Sequence, residues 1–189
     1  MTKQAKTLNE QELKKLLQAA ANTKASLRNR VIILLTHYAG MRIGEVAAVK
    51  IGDVLGKDGE VLEQINLSAA QTKGDKSRTV LLNARMQEEI RYYVRTLKTT
   101  YPNNPLFPTQ RSIGFSANSL TQIVNALYDK AGLQGCSSHS GRRSYLTTLA
   151  EKGVSVRVMM ALAGHSNMAT TQRYIDLRPG VLRNAVELV

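Results

Sequence analysis

The chain has 189 residues, 43% of them hydrophobic and 21% charged, which is enough apolar material for the core of one domain and excludes a disordered protein. Its 26 Lys and Arg residues outnumber 14 Asp and Glu residues, and the net charge of +12 favours a polyanionic partner, with nucleic acid before an anionic membrane surface. The single Cys136 excludes an internal disulfide and a thiolate metal cage, and no apolar run approaches the roughly 20 residues of a membrane span.

The first fifty residues predict helices. Thr7 to Glu10 has the spacing of a capping box, and leucines at helical intervals follow it. A second helix is predicted from about 26 to 39, with an apolar and therefore buried middle and with Gly40 as its C-terminal stop. A third, short helix is predicted over 42–49.

The pattern then changes to one typical of strands. A turn is predicted at 57–59, followed by alternating apolar residues over 61–67. A polar, glycine-containing segment at 72–76 separates this run from a second apolar stretch at 79–82. We therefore expect a small antiparallel sheet with a basic hairpin tip.

The rest of the chain is again helical in pattern. Asn83 can cap a helix to about Leu97, and prolines mark a loop over 99–111. Further helices are predicted over 117–131, 140–152, 155–163, 168–174 and 181–189. Because no repeat or linker interrupts the pattern, the sequence predicts one mainly α domain with a small antiparallel β-sheet, an α+β fold.

The first candidate site lies at the predicted start of the helix over 140–152. His139 and Arg142 are three residues apart and therefore lie on one side of the first turn. Helix N-termini add positive potential, so this pair could bind an anion. On spacing alone, the alternative is one more basic patch on a basic protein.

Other candidates are weak when taken singly. His165 follows a glycine at a turn, and Tyr174 comes nine residues later, so the first could be a satisfied polar residue and the second a half-buried aromatic. Arg42 lies three residues before Glu45, which is the spacing of an intrahelical salt bridge. Lys73 on a hairpin tip would ordinarily be a solvated charge.

Together, however, these motifs follow an order that resembles the tyrosine recombinases, also called the phage integrase family. The resemblance covers almost the whole chain and includes the opening segment 8–17. Two positions depart from the usual pattern, because Gly141 and Arg143 stand where members often have Leu and His. The matching stretches are Tyr38 to Val46, Thr72 to Arg78, His139 to Arg143, Leu162 to Ser166 and Thr170 to Tyr174.

The resemblance implies a tyrosine recombinase catalytic domain over 1–189. Most members carry an N-terminal core-binding domain that closes around DNA, and here the matching segment begins within ten residues of Met1. We therefore expect a single catalytic domain without a core-binding domain. The chain would then be either an excised fragment or a short member, like the recombinases that invert fimbrial promoters.

The resemblance also implies a reaction, in which Tyr174 attacks a DNA phosphodiester and forms a 3′-phosphotyrosyl link. A guanidinium binds phosphate oxygens bidentately and stabilises the charge of the transition state, and an imidazole can accept a phenolic proton. The implied roles are phosphate binding for Arg42, Arg142 and His165, proton acceptance for His139, protonation of the 5′-oxygen for Lys73, and orientation of Arg42 or His139 for Glu45.

No cofactor is expected. The site residues include no cluster of carboxylates of the kind a two-metal nuclease needs, and no phosphate-binding loop for ATP is present. The phosphotyrosyl bond would retain the energy of the broken phosphodiester for religation. Two alternatives stay open: simple nicking and closing, as in type IB topoisomerases, and a DNA-binding regulator that has lost turnover.

The expected partner is double-stranded DNA. The low aromatic content, 5% with no Trp, argues against a single-strand binder built on stacked rings. The resemblance implies a monomer in solution that assembles into a homotetramer on DNA, with the tail from Leu182 to Val189 packed on a neighbour, and DNA-bending accessory proteins can take part. We expect a cytoplasmic, nucleoid-associated protein with no membrane contact.

Overall fold

The computed structural model describes residues 5–72, 76–110, 114–174 and 186–187. Most of these residues form helices, and two short strands form one antiparallel sheet, which confirms the predicted fold class. In the described ranges, no helix is long and apolar enough to cross a membrane. The helices are α1 Glu10–Ala21, α2 Ser26–Tyr38, α3 Ile43–Ala48, α4 Ile51–Val54, α5 Ala84–Val94, α6 Ala117–Lys130, α7 Ser140–Glu151, α8 Val156–Ala163 and α9 Met168–Gln172, and the strands are β1 Gln64–Leu67 and β2 Arg78–Leu81.

Helix α1 begins two residues later than predicted. Its N-cap is Asn9, whose side-chain oxygen accepts a hydrogen bond from the Glu12 backbone N–H at 2.9 Å. The Glu12 carboxylate accepts one from the Asn9 N–H at 3.1 Å. The capping box is therefore formed by Asn9 and Glu12, and its assignment to Thr7 and Glu10 was wrong, because Asn caps helices at least as well as Thr.

Helix α2 is the centre of the main core. Its residues 31–35 are buried, and the helix packs against α1, α5 and α7. Gly40 follows the helix with a φ of +61°, a conformation that glycine adopts without steric cost. The predicted end of α2 is thereby confirmed, and the left-handed turn directs the chain into α3.

The sheet is smaller than the pattern predicted. Strands β1 and β2 pair in the register Gln64 with Leu81 and Leu67 with Arg78. Val61 lies outside the sheet, in an isolated bridge with Leu55. A 3-10 turn, Ala69–Gln71, follows β1, so the connection between β1 and β2 is longer than that of a tight hairpin.

Several other bounds differ by a few residues. Helix α5 ends at Val94 and not near Leu97, and α9 ends at Gln172, two residues before the predicted end. The sequence did not predict α4, in which the Asp53 carboxylate accepts a hydrogen bond from the Lys50 N–H at 2.8 Å. The predicted tail helix over 181–189 lies outside the described residues except for 186–187.

The close packing of α7 on α2 explains the unusual Gly141. A Cβ atom at this position would lie 2.2 Å from Thr36 Oγ1 and 3.3 Å from the His37 backbone nitrogen. Only glycine permits this approach of the two helices. The neighbouring Arg142 is thereby brought within reach of the Gly40 carbonyl oxygen at the end of α2.

A second, smaller cluster joins α7 to α8. Leu146, Met159 and Ala163 are buried in it, and Tyr145 and Tyr174 pack against it. Helix α8 ends at Ala163, and Gly164 follows it with a φ of +62° that forms the turn leading to His165. Tyr174, the last of the candidate residues, therefore packs against the apolar cluster between α7 and α8.

Candidate active site

Arg42 is fixed by Glu45 at the start of α3. The Arg42 N–H donates to Glu45 Oε2 at 2.8 Å, and its Nη1 donates to Oε1 at 2.8 Å. Glu45 is 1% exposed, whereas the Arg42 side chain is 29% exposed, so part of the guanidinium faces solvent. Of the two roles left open for Glu45, its described contacts fit orientation of Arg42 and include none to His139.

Arg78, a residue that the sequence did not single out, shares the same carboxylate. Its Nη2 donates to Glu45 Oε2 at 2.9 Å and its Nη1 to the Leu162 carbonyl at 3.0 Å. The side chain is 8% exposed, and this burial lowers the pKa of Arg78 against the opposing effect of Glu45. Arg78 therefore links β2 to both α3 and α8. Its position at the end of the 72–78 motif was the available signal.

Arg142 lies in the interior beside these groups. It is 6% exposed and donates to the Gly40 carbonyl and, at 2.7 Å, to the Ala163 carbonyl. Burial, followed by the positive charge of Arg42, lowers the pKa of Arg142 to about 10. The guanidinium therefore remains charged at neutral pH in a position where two carbonyl oxygens fix its orientation.

His165 connects Arg142 to Thr171. Arg142 Nη2 lies 2.9 Å from His165 Nε2, and His165 Nδ1 lies 2.9 Å from Thr171 Oγ1. Burial and then the charge of Arg142 lower the pKa of His165 to about 4, so the ring is neutral at pH 7. Because a guanidinium can only donate, Nε2 is the acceptor and Nδ1–H donates to the Thr171 hydroxyl. Thr171 is fully buried, and no sequence spacing pointed to it.

Tyr174 is half-buried and stacks on His165. The two ring centroids are 6.2 Å apart with an interplanar angle of 16°. The Tyr174 backbone N–H donates to the Thr171 carbonyl at 3.0 Å. The same threonine therefore positions the imidazole through its side chain and the tyrosine through its backbone.

Each ring of this stack lines a cavity. The first, which we call the Arg42 cavity, has a volume of about 430 Å³ and is lined by Arg42, Arg78 and His165, among others. The second, which we call the Tyr174 cavity, has a volume of about 750 Å³ and is lined by Tyr174 and His139, among others.

The structure thus brings Arg42, Glu45, Arg142 and His165 together and places His139, which is exposed, in the cavity of Tyr174. Lys73 lies outside the described residues. Among the residues that are described, no group of three or more His, Cys, Asp or Glu side chains could hold a metal ion.

Comparison with known proteins gives matches over nearly the whole chain. A sequence profile of the phage integrase family matches residues 6–180. Tyrosine recombinase XerA of Pyrococcus horikoshii is 33% identical over 185 residues, which are 96% of this chain and 60% of the relative.

Solved structures agree with the sequence matches. The crystal structure of XerA recombinase has a TM-score of 0.76 at 29% identity, covering 96% of this chain and 62% of the other. XerH site-specific recombinase, solved bound to its difH substrate as a pre-cleavage complex, has a TM-score of 0.70 at 25% identity, covering 95% and 53%. This chain therefore spans about 60% of the length of the curated relatives it matches.

Proposed function

The chain belongs to the phage integrase family, and from this membership we propose that it is a site-specific DNA recombinase with Tyr174 as its nucleophile. One observation carries the proposal: Arg142 contacts His165 at 2.9 Å, and His165 stacks on Tyr174. The imidazole of His165 thus contacts the charged guanidinium of Arg142 through its Nε2 and the phenol ring of Tyr174 through its face. Relatives that match most of this chain are named tyrosine recombinases, which supports DNA as the substrate.

The proposed reaction begins with attack of the Tyr174 oxygen on a DNA phosphorus atom. A bond forms between this oxygen and phosphorus, and the bond from phosphorus to the 5′-oxygen of the next nucleotide breaks. The phenolic proton passes to His139, directly or through water, and Lys73 donates a proton to the departing 5′-oxygen. Attack by the 5′-hydroxyl of another strand reverses these steps, releases Tyr174 and completes strand exchange.

The guanidinium groups lower the barrier by binding the non-bridging oxygens. Arg42 reaches the Arg42 cavity from α3, where Glu45 holds its backbone and one Nη. Arg142 is already oriented by carbonyl oxygens, so little reorganisation accompanies the development of charge. Loss of one such donor typically costs about 10²–10³ in rate.

His165 has a defined place in this scheme. In the free protein its Nε2 accepts from Arg142, so donation to a phosphate oxygen requires the other tautomer. The Thr171 hydroxyl at 2.9 Å can donate to Nδ1 and thereby support that tautomer. A neutral ring that exchanges tautomers needs no change in net charge, in agreement with the lowered pKa of His165.

The proposal includes neither a metal ion nor a nucleotide. Positive charge at the phosphate comes from Arg42 and Arg142, and the phosphotyrosyl bond retains the energy needed to rejoin the strands. We further propose that the catalytic unit is the single domain over 1–189. In this proposal the protein is a monomer in solution and a homotetramer on double-stranded DNA, with the tail from Leu182 exchanged between protomers and DNA-bending accessory proteins where the site requires them.

The test is capture of the covalent complex on genomic DNA. The protein is incubated with sheared DNA and denatured, and the DNA ends attached to protein are sequenced. We expect ends that cluster at one sequence, with the 3′ end blocked and the 5′ end a free hydroxyl. Attachment at random positions would instead indicate nicking and closing, and absence of attachment would leave a DNA-binding regulator.

A further inference from the structure

Two consecutive arginines at the start of α7 have different surroundings. Arg142 is bound by the Gly40 and Ala163 carbonyls and by His165. Arg143 lines the Tyr174 cavity. Successive residues of an α-helix point about 100° apart, because 3.6 residues complete one turn, so the two side chains leave the helix in different directions.

Arg143 has a donor that nothing satisfies in the described part of the chain. Its Nε is buried and makes no hydrogen bond there, and its guanidinium takes part in no ion pair with a described residue. A buried donor without a partner costs free energy that a ligand oxygen can recover. Arg142, by contrast, already donates to two carbonyl oxygens and to His165.

The cavity around Arg143 is positively charged. Arg173, which is exposed, lines it beside Tyr174, and none of its described lining residues is acidic. The third cation in the wall is Lys6, which is paired with Glu12. Two guanidinium groups are therefore available to an anion that enters next to the proposed nucleophile.

We propose that Arg143 and Arg173 form a second phosphate site, which binds a backbone phosphodiester of the cleaved strand next to the one that Tyr174 attacks. The proposal rests on the proposed function, since it takes DNA as the ligand. A planar guanidinium binds two phosphate oxygens at once, and unlike an imidazole it is charged at every physiological pH. This contact would hold the strand against the Tyr174 cavity while Arg42 and Arg142 bind the attacked phosphate.

The test measures DNA binding without chemistry, in a Tyr174→Phe background. The affinity for a fluorescently labelled 30-base-pair duplex of arbitrary sequence is measured by anisotropy over a series of salt concentrations. Log affinity falls as log salt concentration rises, and each phosphate contact adds about 0.9 to the steepness of this fall. The slope here means this steepness, taken as a positive number. Arg143→Gln should therefore lower the slope by about 0.9, and Arg143→Lys should keep most of it.

Two further variants keep the result interpretable. Arg173→Gln changes an exposed side chain, so it should lower the slope as Arg143→Gln does and without loss of thermal stability. Lys57→Gln removes an exposed charge in the turn after α4, outside both cavities, and should leave the slope unchanged. An unchanged slope in Arg143→Gln or Arg173→Gln, or an equal decrease in Lys57→Gln, would overturn the second phosphate site.

The outcome is separable from that of the proposed function. The slope requires no cleavage, whereas the proposed function is judged by covalent capture with unaltered Tyr174. A lowered slope without covalent capture would leave the phosphate site standing and reject the recombinase. Covalent capture with an unchanged slope would do the reverse.

Discussion

The Tyr174 ring lies nearly parallel to the His165 ring, at an angle of 16° and a centroid distance of 6.2 Å, and each of the two rings lines a different cavity. His165 lines the Arg42 cavity, whereas Tyr174 lines the cavity that also contains His139. The proposed nucleophile thus shares a cavity with its proposed proton acceptor, and Arg42, proposed to bind the attacked phosphate, shares a cavity with the ring that stacks on Tyr174. Because His165 contacts both Arg142 and Tyr174, a change in the orientation of its ring should affect phosphate binding and the position of the nucleophile.

Thr171 should therefore act as a positioning residue. Thr171→Val keeps the shape of the side chain but removes the hydroxyl that meets His165 Nδ1 at 2.9 Å. The lost hydrogen bond corresponds to about 1 kcal/mol, so we expect covalent capture of DNA to slow by roughly fivefold. The DNA dissociation constant should not change, and Thr171→Ser should restore the rate. A rate equal to that of the unaltered protein would show that the hydroxyl does not orient the ring.

Stability should fall in mild acid because of His37. Burial, followed by the positive charge of Arg85, lowers the pKa of His37 to about 4, and its Nδ1 is buried without a partner in the described structure. Between the unfolded pKa of about 6.5 and this value, the unfolded state binds more protons, so stability is lost as the pH falls through that window. The loss attributable to His37 should be on the order of 2–3 kcal/mol at pH 4.

The measurement is urea unfolding at pH 7.0, 5.5 and 4.5 for the unaltered protein and for His37→Phe. The variant keeps a ring beside Tyr38 but cannot titrate. It should lose less stability than the unaltered protein as the pH falls. Because His165 titrates in both proteins, the difference between the two curves isolates His37. Parallel curves would contradict the prediction.

Gly141 should not tolerate a side chain. A Cβ at this position would meet Thr36 Oγ1 at 2.2 Å, so Gly141→Ala should cost about 1–3 kcal/mol of unfolding free energy. Thr36→Ala in the same chain should recover part of this loss. Gly44→Ala is the matched control, since its Cβ would lie 3.5 Å from the Ala117 side chain, an ordinary contact. Equal effects at both glycines would rule out the close helix approach as the cause.

Arg78 should contribute to stability through Glu45. Arg78→Leu leaves the buried Glu45 carboxylate with Arg42 as its one ion-pair partner among the described residues. Because this partner remains, the loss of unfolding free energy should be about 2 kcal/mol, which is less than the roughly 3–5 kcal/mol typical of a fully broken buried pair. Adding Glu45→Gln should recover part of the loss. Arg91→Leu breaks ion pairs of Glu60 and Glu88, which are 70% and 73% exposed, and should change stability by less than about 1 kcal/mol.

Local patterns predicted most of the fold, and the exceptions have physical causes. Helices α2 and α6 follow from apolar spacing with glycines after their ends, signals contained within a few residues. Helix α4 is one turn long and depends on a cap and on contacts with the loop around Asn104, so it had no periodicity to detect.

The site shows the same division. Ordered motifs pointed to Arg42, Arg142 and His165, which the fold brings together. Arg78 and Thr171 lie inside matching stretches, but their place in the site is shown only by their contacts with Glu45 and His165. Lys73 stays a prediction, as do the roles in chemistry.

The clearest test of the proposed chemistry is Tyr174→Phe. The change removes one oxygen and keeps the ring that stacks on His165 and packs against the α7–α8 cluster, so folding and DNA affinity should be preserved. Covalent capture on a nicked suicide duplex should disappear, because no other phenol lines the Tyr174 cavity among the residues described. Tyr92→Phe is the matched control, since Tyr92 is 60% exposed on α5 and lines neither cavity. Capture by Tyr174→Phe would reject this nucleophile, and loss of capture in Tyr92→Phe would show that the assay does not report on it.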